Sequence, residues 1–474
     1  MSNSTTHFDV IIIGTGQAGP PLASSLAKAG MKVAIIERKL FGGTCVNTGC
    51  IPTKTLIASA YAAHMARRAA FYGVVLPGAA NAEVTVDMKA VKARKDEVSG
   101  ASRIGVEKML RTLENCTVYT GHARLESSTT VRVGNELGGE LGGELLEAPK
   151  IYLNVGARAV IPNLPGADQI DYLTNSSMLA LDTLPAHLVI VGGSYIGIEF
   201  GQMYRRFGSK VTIVEKGPRL IQREDEDVSA AMQEILEKEG IDVRVDAECI
   251  RFEKQGDRTA IHLDCKDGEP AVLGSHVLLA MGRRPNTDDL GLDKAGVELD
   301  PHGNIVIDDH LRTNVPGIFA MGDCNGHGGF THTSYNDYEI AAANLLENDP
   351  RKVSDRIPCY ALYSDPPLGR IGLTETQVRA TGKPALIGTR PMSKVGRAVE
   401  KGESQGFMKI LVDAESKKIL GASILGVGGD EAIHCLLDVM YADAPYTTIQ
   451  RAVHIHPTVS ELIPTVLGSL KPLT

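Results

Sequence analysis

The apolar positions of the chain fall into short runs separated by glycine-rich turns and helical stretches. Phe8–Ile13 has strand character, a helical stretch follows to about Ala29, and Lys32–Ile36 is a second strand that ends at Glu37. The arrangement recurs further on: a strand over Leu188–Val191 begins just after His187, and Lys210–Val214 is the next strand, ending at Glu215. Gly14 to Glu37 and Gly192 to Glu215 span the same number of residues, so the strand–helix–strand unit is an internal repeat. Between the copies, Pro52 to about Tyr72 favours a long helix, and about Val84 to Leu113 favours another helix or a helix pair. Gly134–Glu144, with its repeated Leu-Gly-Gly-Glu, reads as a loop between strands. From about Asp355 the pattern changes to strands over Phe407–Val412 and Ile419–Leu425 and a helical stretch over Asp430–Tyr441.

The turns of the two repeats carry chemistry. In Gly14-Thr15-Gly16-Gln17-Ala18-Gly19, Gly14 permits a tight turn, Gly16 lets a pyrophosphate approach the backbone, and Gly19 allows close helix–strand packing. Glu37 is placed to accept from ribose hydroxyls. Pro20 and Pro21 fall in the first helical turn, where amides have no intrahelical partner. The second turn, Gly192-Gly193-Ser194-Tyr195-Ile196-Gly197, has Ser194 where the middle glycine is expected, and its Cβ crowds a pyrophosphate slightly. Two dinucleotide sites in one chain are expected.

A third glycine-rich segment is Gly42-Gly43-Thr44-Cys45-Val46-Asn47-Thr48-Gly49-Cys50-Ile51-Pro52-Thr53-Lys54. On a regular helix, positions i and i+5 lie roughly 8–9 Å apart at a rise of about 1.5 Å per residue. A disulfide needs about 4.4–6.8 Å between Cα atoms. Cys45 and Cys50 can therefore bridge only across an irregular backbone. Gly49 tolerates unusual dihedrals and Pro52 removes the amide that would bond back toward Thr48. The residues alone leave two readings open, an addressable disulfide or two unrelated core cysteines.

Length and composition narrow the class. At 474 residues the chain suits roughly three domains. A net charge of −8 argues against a polyanionic partner such as nucleic acid. The polar first seven residues lack a basic segment, and Val10–Ile13 is far too short to cross a bilayer, so neither a signal peptide nor a membrane partner is expected and the location expected is cytoplasmic. Of the eight cysteines, Cys116, Cys249, Cys265, Cys324, Cys359 and Cys435 lack metal-ligand spacing and read as structural thiols. In a reducing compartment a disulfide that matters is usually catalytic, which singles out Cys45 and Cys50. His64, Arg67 and Arg68 read as a solvated helix face. His454 and His456 could form a metal pair, but no further ligand lies nearby, and no metal site is expected.

Gly42–Lys54 resembles the redox signature of the class I pyridine nucleotide-disulfide oxidoreductases, which include dihydrolipoyl dehydrogenase, glutathione reductase and mercuric reductase. The resemblance extends from about Phe8 to the C-terminus. It implies an α/β fold with two Rossmann-like domains, for FAD and NAD(P), and a C-terminal α+β dimerisation domain. The implied boundaries are 1–153 and 282–352 for the two parts of the FAD domain, 154–281 for the NAD(P) domain and 353–474 for the dimer interface. Gly282-Arg283-Arg284-Pro285-Asn286-Thr287 resembles the family's return into the flavin domain, and Ile318–Asp323 its second flavin motif.

By the same resemblance, Cys50 is the sulfur near the flavin and Cys45 the interchange thiol facing substrate. Lys54 pairs with Glu199 near the flavin N5, Asp323 accepts from a ribityl hydroxyl, and Thr331 lies near the ring's pyrimidine side. Gly43, Thr44, Ala123 and Gly156 join the implied cofactor-binding set. His456 is the implied acid–base residue, oriented by Glu461, and in the family it serves the partner subunit's disulfide in a homodimer with shared active sites. Glu215 argues for NADH, with NADPH possible because Lys216 and Arg219 are close.

The substrate stays open. Mercuric reductases carry a C-terminal cysteine pair, whereas no cysteine follows Cys435 here, and His456 is retained where they use no histidine. A dihydrolipoyl dehydrogenase-like activity on a small-molecule disulfide fits the cofactor and the His456–Glu461 pair. A mercuric reductase-like enzyme, or another reductase of metal ions or oxidants as in the reactive-chlorine-resistance flavoproteins, is the alternative. A redox sensor or complex-binding subunit with little turnover is the alternative of another class.

Overall fold

The computed structural model describes residues 5–75, 84–134, 143–264 and 270–473. Most of the loop expected at Gly134–Glu144 lies outside the described residues, as do Cys265 and the side chain of Cys249.

The first repeat builds a five-stranded parallel sheet in the order Ile318–Ala320, Lys150–Leu153, Val10–Ile13, Val33–Glu37, Cys116–Thr120. Every residue of Val10–Ile13 and Val33–Glu37 is buried, as expected of parallel strands covered on both faces. The second repeat builds a four-stranded parallel sheet, Asp242–Arg244, Lys210–Val214, His187–Val191, His276–Leu279. The last third forms a six-stranded antiparallel sheet, with Phe407–Asp413 and Ile419–Leu425 at its centre. The fold is thus α/β with a C-terminal α+β unit. Among the described residues no helix is long and apolar enough to cross a membrane.

Local chemistry sets the helix ends. The helix Gly19–Lys28 carries its prolines at the start. Asp87 accepts from the amides of Lys89 (2.9 Å) and Ala90 (3.1 Å) to start one unbroken helix, Met88–Thr112, rather than a pair. The helix expected to reach Tyr72 ends at Arg67 and tightens into a 3-10 turn over Ala69–Tyr72, closed by Gly73 at φ +74°.

On the face expected to be solvated, Arg67 is exposed and His64 and Arg68 are half-buried, and both arginines also act as ties. Arg67 donates to the carbonyls of Arg206 (2.5 Å) and Val84 (3.1 Å), and Arg68 donates to Gly402 O (2.8 Å). Guanidinium groups at the end of a helix reach carbonyls of neighbouring units that periodicity does not reveal. Two buried cations finish the docking of the C-terminal unit on the second repeat. Arg206 meets Glu239 (2.7 Å) and Asp365 (2.6 Å), and Lys409 meets Asp225 (3.0 Å) and Asp227 (2.7 Å).

Candidate active site

The redox segment breaks its helix where the chemistry needs it. A short helix spans Gly43–Asn47, entered through Gly42 at φ +94° and Gly43 at φ +62°. It stops at Thr48 (φ −141°) and Gly49 (φ −136°, ψ −119°), and a new helix, Cys50–Arg67, begins. The two segments pack so closely that a Cβ on Gly49 would lie 2.9 Å from Thr44 O. Asn175 donates to the carbonyl of Thr48 at the break (2.8 Å), and Asn47 donates to Phe41 O and Gly43 O (2.9 Å each). The irregularity brings the thiols of Cys45 and Cys50 into hydrogen-bond contact, both as free cysteines.

Those two thiols divide one proton between them. The hydrogen bond from Cys45 pulls Cys50 down to about 6 against the opposing effect of burial, helped by Thr331 and by the charge of Lys54. Cys45 is pushed up, first by its hydrogen bond to Cys50 and then by burial. Thr331 Oγ1 lies 3.2 Å from Cys50 Sγ, at the start of the helix Thr331–Ala342.

Lys54 lies one turn beyond Cys50 on the same helix face. Its Nζ donates to Glu199 Oε2 at 2.7 Å and stands 4.5 Å from the centre of the Tyr363 ring. Glu199 is only 5% exposed, and its other oxygen accepts from the amide of Tyr363 at 3.1 Å. The redox helix, the helix Tyr195–Phe207 of the second repeat and the C-terminal unit therefore meet at one ion pair. Arg283 makes a second junction, with Nη2 at 2.6 Å from Ala157 O and 3.4 Å from both Thr44 Oγ1 and Asp323 Oδ2. Burial pushes the Asp323 carboxyl up, opposed by Arg283.

These residues open on a cavity of about 1030 Å³. Of the residues expected at the site, Gly14, Gly16, Glu37, Gly43, Thr44, Cys45, Cys50, Lys54, Ala123, Gly156, Glu199, Asp323 and Thr331 line it. Gly19 lies behind the turn, where a Cβ would meet Gly14 O at 2.4 Å. Glu37 accepts from Thr15 N (3.1 Å) and Thr15 Oγ1 (2.5 Å), which holds the first turn against its second strand. The cavity suits a flavin dinucleotide. It is large, its glycine turn has no room for a Cβ on Gly14 (2.3 Å from Asn154 O) or Gly43 (2.7 Å from Gly16 Cα), and Asn154 Nδ2 is buried there without a partner.

Gly192, Ser194, Gly197, Glu215 and Gly282 are not among the residues lining this cavity. They belong to the second turn and its exit. Glu215 accepts from Gly193 N (2.7 Å), Gly217 N (2.8 Å) and Gln222 Nε2 (3.0 Å), and Ser194 is exposed. Asn154, Asn175, Arg283 and Tyr363 also line the cavity and were not expected at the site. Arg283 and Asn154 had a legible signal, since one sits in the returning Gly-Arg-Arg-Pro segment and the other is polar at the end of an apolar strand. Tyr363 had none.

His456 and Glu461 pair, Nδ1 lying 3.0 and 3.1 Å from the two carboxylate oxygens, but neither lines the cavity. The His456 side chain is 80% exposed, and Val453 and Ile455 beside it are 100% and 80% exposed. Within one chain the pair is not brought to the thiols.

Residues 8–342 match the model of the pyridine nucleotide-disulphide oxidoreductases, and residues 359–467 match the model of that family's dimerisation domain. The chain is 35% identical over 470 residues to the probable pyridine nucleotide-disulfide oxidoreductase RclA of Escherichia coli (strain K12), covering 98% of this chain and 99% of that protein. It is 32% identical to a dihydrolipoyl dehydrogenase of Chlamydia muridarum (96% and 95% covered) and 31% identical to a mercuric reductase of Streptomyces lividans (98% and 96% covered). Among solved structures it is similar to the Cu(II) complex of the HOCl-induced flavoprotein disulfide reductase RclA from Escherichia coli, with a TM-score of 0.88, 33% identity and 98% and 99% of the two chains covered.

Proposed function

The chain belongs to the pyridine nucleotide-disulphide oxidoreductase family, and from that premise we propose that Cys45 and Cys50 reduce a small-molecule disulfide at the expense of NADH. It is a FAD-dependent, NAD(P)H-linked flavoprotein enzyme. The observation that carries the proposal is the polarised thiol pair: Cys50, drawn to about 6 beside Lys54 and Thr331, opens on the same cavity as the first glycine turn.

Bound in that cavity, the flavin supplies a two-electron relay between nicotinamide and the cysteine pair. The Gly14–Gly19 turn, Glu37, Gly43, Thr44, Ala123, Gly156 and Asp323 would hold it, and Lys54 offsets negative charge near Cys50. Two electrons and two protons convert the Cys45–Cys50 disulfide into two thiols, of which Cys50 ionises first. Cys45, losing its proton to a base, attacks the substrate disulfide. A mixed disulfide forms and the first substrate thiolate leaves, taking a proton. Cys50 then attacks Cys45, the internal disulfide re-forms and the second substrate thiolate leaves. His456, held by Glu461, is the base and later the acid, delivered from the second subunit of a homodimer. Its exposure beside Val453 and Ile455 supports that delivery.

Glu215 favours NADH, because a carboxylate that binds a 2′-hydroxyl repels a 2′-phosphate. A higher kcat/KM with NADPH than with NADH would overturn this choice. We assign the enzyme to the cytoplasm.

Similarity to RclA, solved as a Cu(II) complex, favours a second reading in which the dithiol reduces metal ions, two Cu(II) becoming two Cu(I) as one disulfide forms and two protons leave. The test is NADH oxidation with lipoamide, oxidised glutathione, dithionitrobenzoate, Cu(II) and Hg(II), by wild type and by His456→Ala. Turnover of a disulfide that His456→Ala abolishes supports the first reading. Turnover of Cu(II) or Hg(II) alone, untouched by that change, supports the second, and no turnover of any acceptor points to a redox sensor.

A further inference from the structure

The two glycine turns solve one problem differently. In the first, Asn154 follows the strand Lys150–Leu153, its amide donates to Ile13 O (2.8 Å), and its carbonyl lies where a Cβ on Gly14 would be, at 2.3 Å. In the second, Ala280 does the same: its amide donates to Val191 O (2.8 Å), and its carbonyl lies 2.4 Å from a Cβ on Gly192. Asn154 and Ala280 are therefore equivalent positions, as Gly16 and Ser194 are. One unit has glycine in the turn and a carboxamide beneath it; the other has a hydroxyl in the turn and only a methyl beneath it.

The Asn154 carboxamide occupies the space that Gly16 leaves open. Its Nδ2 is 3.2 Å from where a Cβ on Gly16 would lie and 3.0 Å from one on Gly19, while its Oδ1 is 3.2 Å from one on Gly322 in the second flavin motif. The residue is 5% exposed and lines the cavity. Among the described residues lining that cavity, Asn154 Nδ2 is the only buried side-chain polar atom without a hydrogen-bond partner. A buried amide left unpaired is costly, and a terminal carboxamide turns readily about its last bond.

We propose that Asn154 is a ligand of the flavin dinucleotide's pyrophosphate, supplying from the strand the polar contact that Ser194 offers from the turn in the second unit. The inference rests on the flavin reading above. The carboxamide is a donor without net charge, held where the turn brings an anionic phosphate against Gly14 and Gly16.

The test is release of FAD from the full-length holoenzyme, followed on dilution at pH 8 by the fluorescence of free flavin, with circular dichroism to verify the fold. Asn154→Ala should weaken FAD binding about tenfold, as loss of one hydrogen bond to a charged group would. Asn154→Asp has nearly the same shape but carries a negative charge, and should bind FAD more weakly still, increasingly so as pH rises. Affinity for NADH should stay as in wild type. Gly16→Ser/Asn154→Ala, which reproduces the pair found in the second unit, should recover part of the lost affinity, and it serves as the test should Asn154→Ala not fold. If Asn154→Asp holds FAD as tightly as Asn154→Ala or more tightly, the side chain acts by shape alone and the inference fails. A wild-type protein that carries no flavin and takes none up would instead overturn the flavin reading.

Discussion

Lys54–Glu199 and His456–Glu461 are both pairs of a basic side chain and a carboxylate, and their surroundings are opposite. The first joins the redox helix to the second repeat at 2.7 Å, with Glu199 5% exposed and also held by the amide of Tyr363. The second, at 3.0 Å, joins residues five positions apart, His456 in a loop and Glu461 in the 3-10 turn that follows it, and leaves His456 80% exposed. A buried pair loses a great deal when one partner goes, because the other stays buried and unpaired. An exposed pair contributes little to folding. The inner pair thus joins the architecture to the thiol, whereas the outer pair contributes little to the fold, and under the proposed mechanism its role is chemical and needs a second chain.

The largest effects should come from the outer pair and separate its two features. His456→Ala should lower disulfide turnover by about a hundred- to ten-thousandfold, with melting temperature and flavin content as in wild type. Cys45→Ser should be equally inactive. When the two inactive variants are dissociated, mixed and reassociated, mixed dimers carry one site with both lesions and one with neither, so about a quarter of wild-type activity should return under two-fold pairing. Recovery of nothing from verified mixed dimers would mean that each chain completes its own site.

The inner pair should show the reverse pattern, a loss of stability together with a shift in thiol ionisation. Lys54 helps the Cys45 hydrogen bond to hold Cys50 near about 6. Removing its charge in Lys54→Met should raise the pH at which Cys50 is half ionised by roughly one to two units, the usual effect of a nearby opposite charge. The pH dependence of iodoacetamide alkylation in the reduced protein reads this directly, and the melting temperature should fall because Glu199 loses its ion partner. An unchanged alkylation profile would remove Lys54 from the account of Cys50.

How far the pairs were legible in the sequence follows from the same contrast. The two repeats, the strands Ile419–Leu425 and Lys210–Val214, and the Gly42–Lys54 segment were readable because each is a local pattern of turn glycines, apolar runs and spacing. The break at Thr48–Gly49 could be anticipated from the distance argument for Cys45 and Cys50. Tyr363 at Glu199, Arg283 at Thr44, and Arg67 on the carbonyl of Arg206 could not be, since each contact joins residues more than a hundred positions apart. Position in a folded chain, rather than residue type, gives those side chains their roles. Arg67 and Arg68 show what such a reading leaves out, because charge at helical spacing is equally compatible with solvent and with a neighbouring unit's carbonyls.

A single isosteric change made in both pairs sharpens the comparison. Glu461→Gln keeps an oxygen that can accept from His456 Nδ1 but removes the charge that holds the imidazole in one orientation. Disulfide turnover should fall about ten- to a hundredfold, a part of the general-base contribution, with Cys50 alkylation unaltered across pH. A shift of the Cys50 profile in Glu461→Gln would mean that the outer carboxylate acts on the Cys50 thiolate directly rather than through His456 alone.

Glu199→Gln should have the smallest effect, and its sign is the informative part. Lys54 and Glu199 act on Cys50 with opposite charge: the ammonium lowers its ionisation point and the carboxylate raises it. Neutralising Glu199 therefore leaves Lys54 unopposed, and the Cys50 profile should move down from about 6, by less than the rise expected for Lys54→Met, because the ammonium acts on Cys50 more strongly than the carboxylate does. The amide keeps one acceptor oxygen, so it can still accept from Lys54 or from Tyr363 N, and the melting temperature should fall less than in Lys54→Met. If the two substitutions moved the alkylation profile in the same direction, both would be acting through displacement of the helix rather than through charge, and the inner pair would be purely architectural.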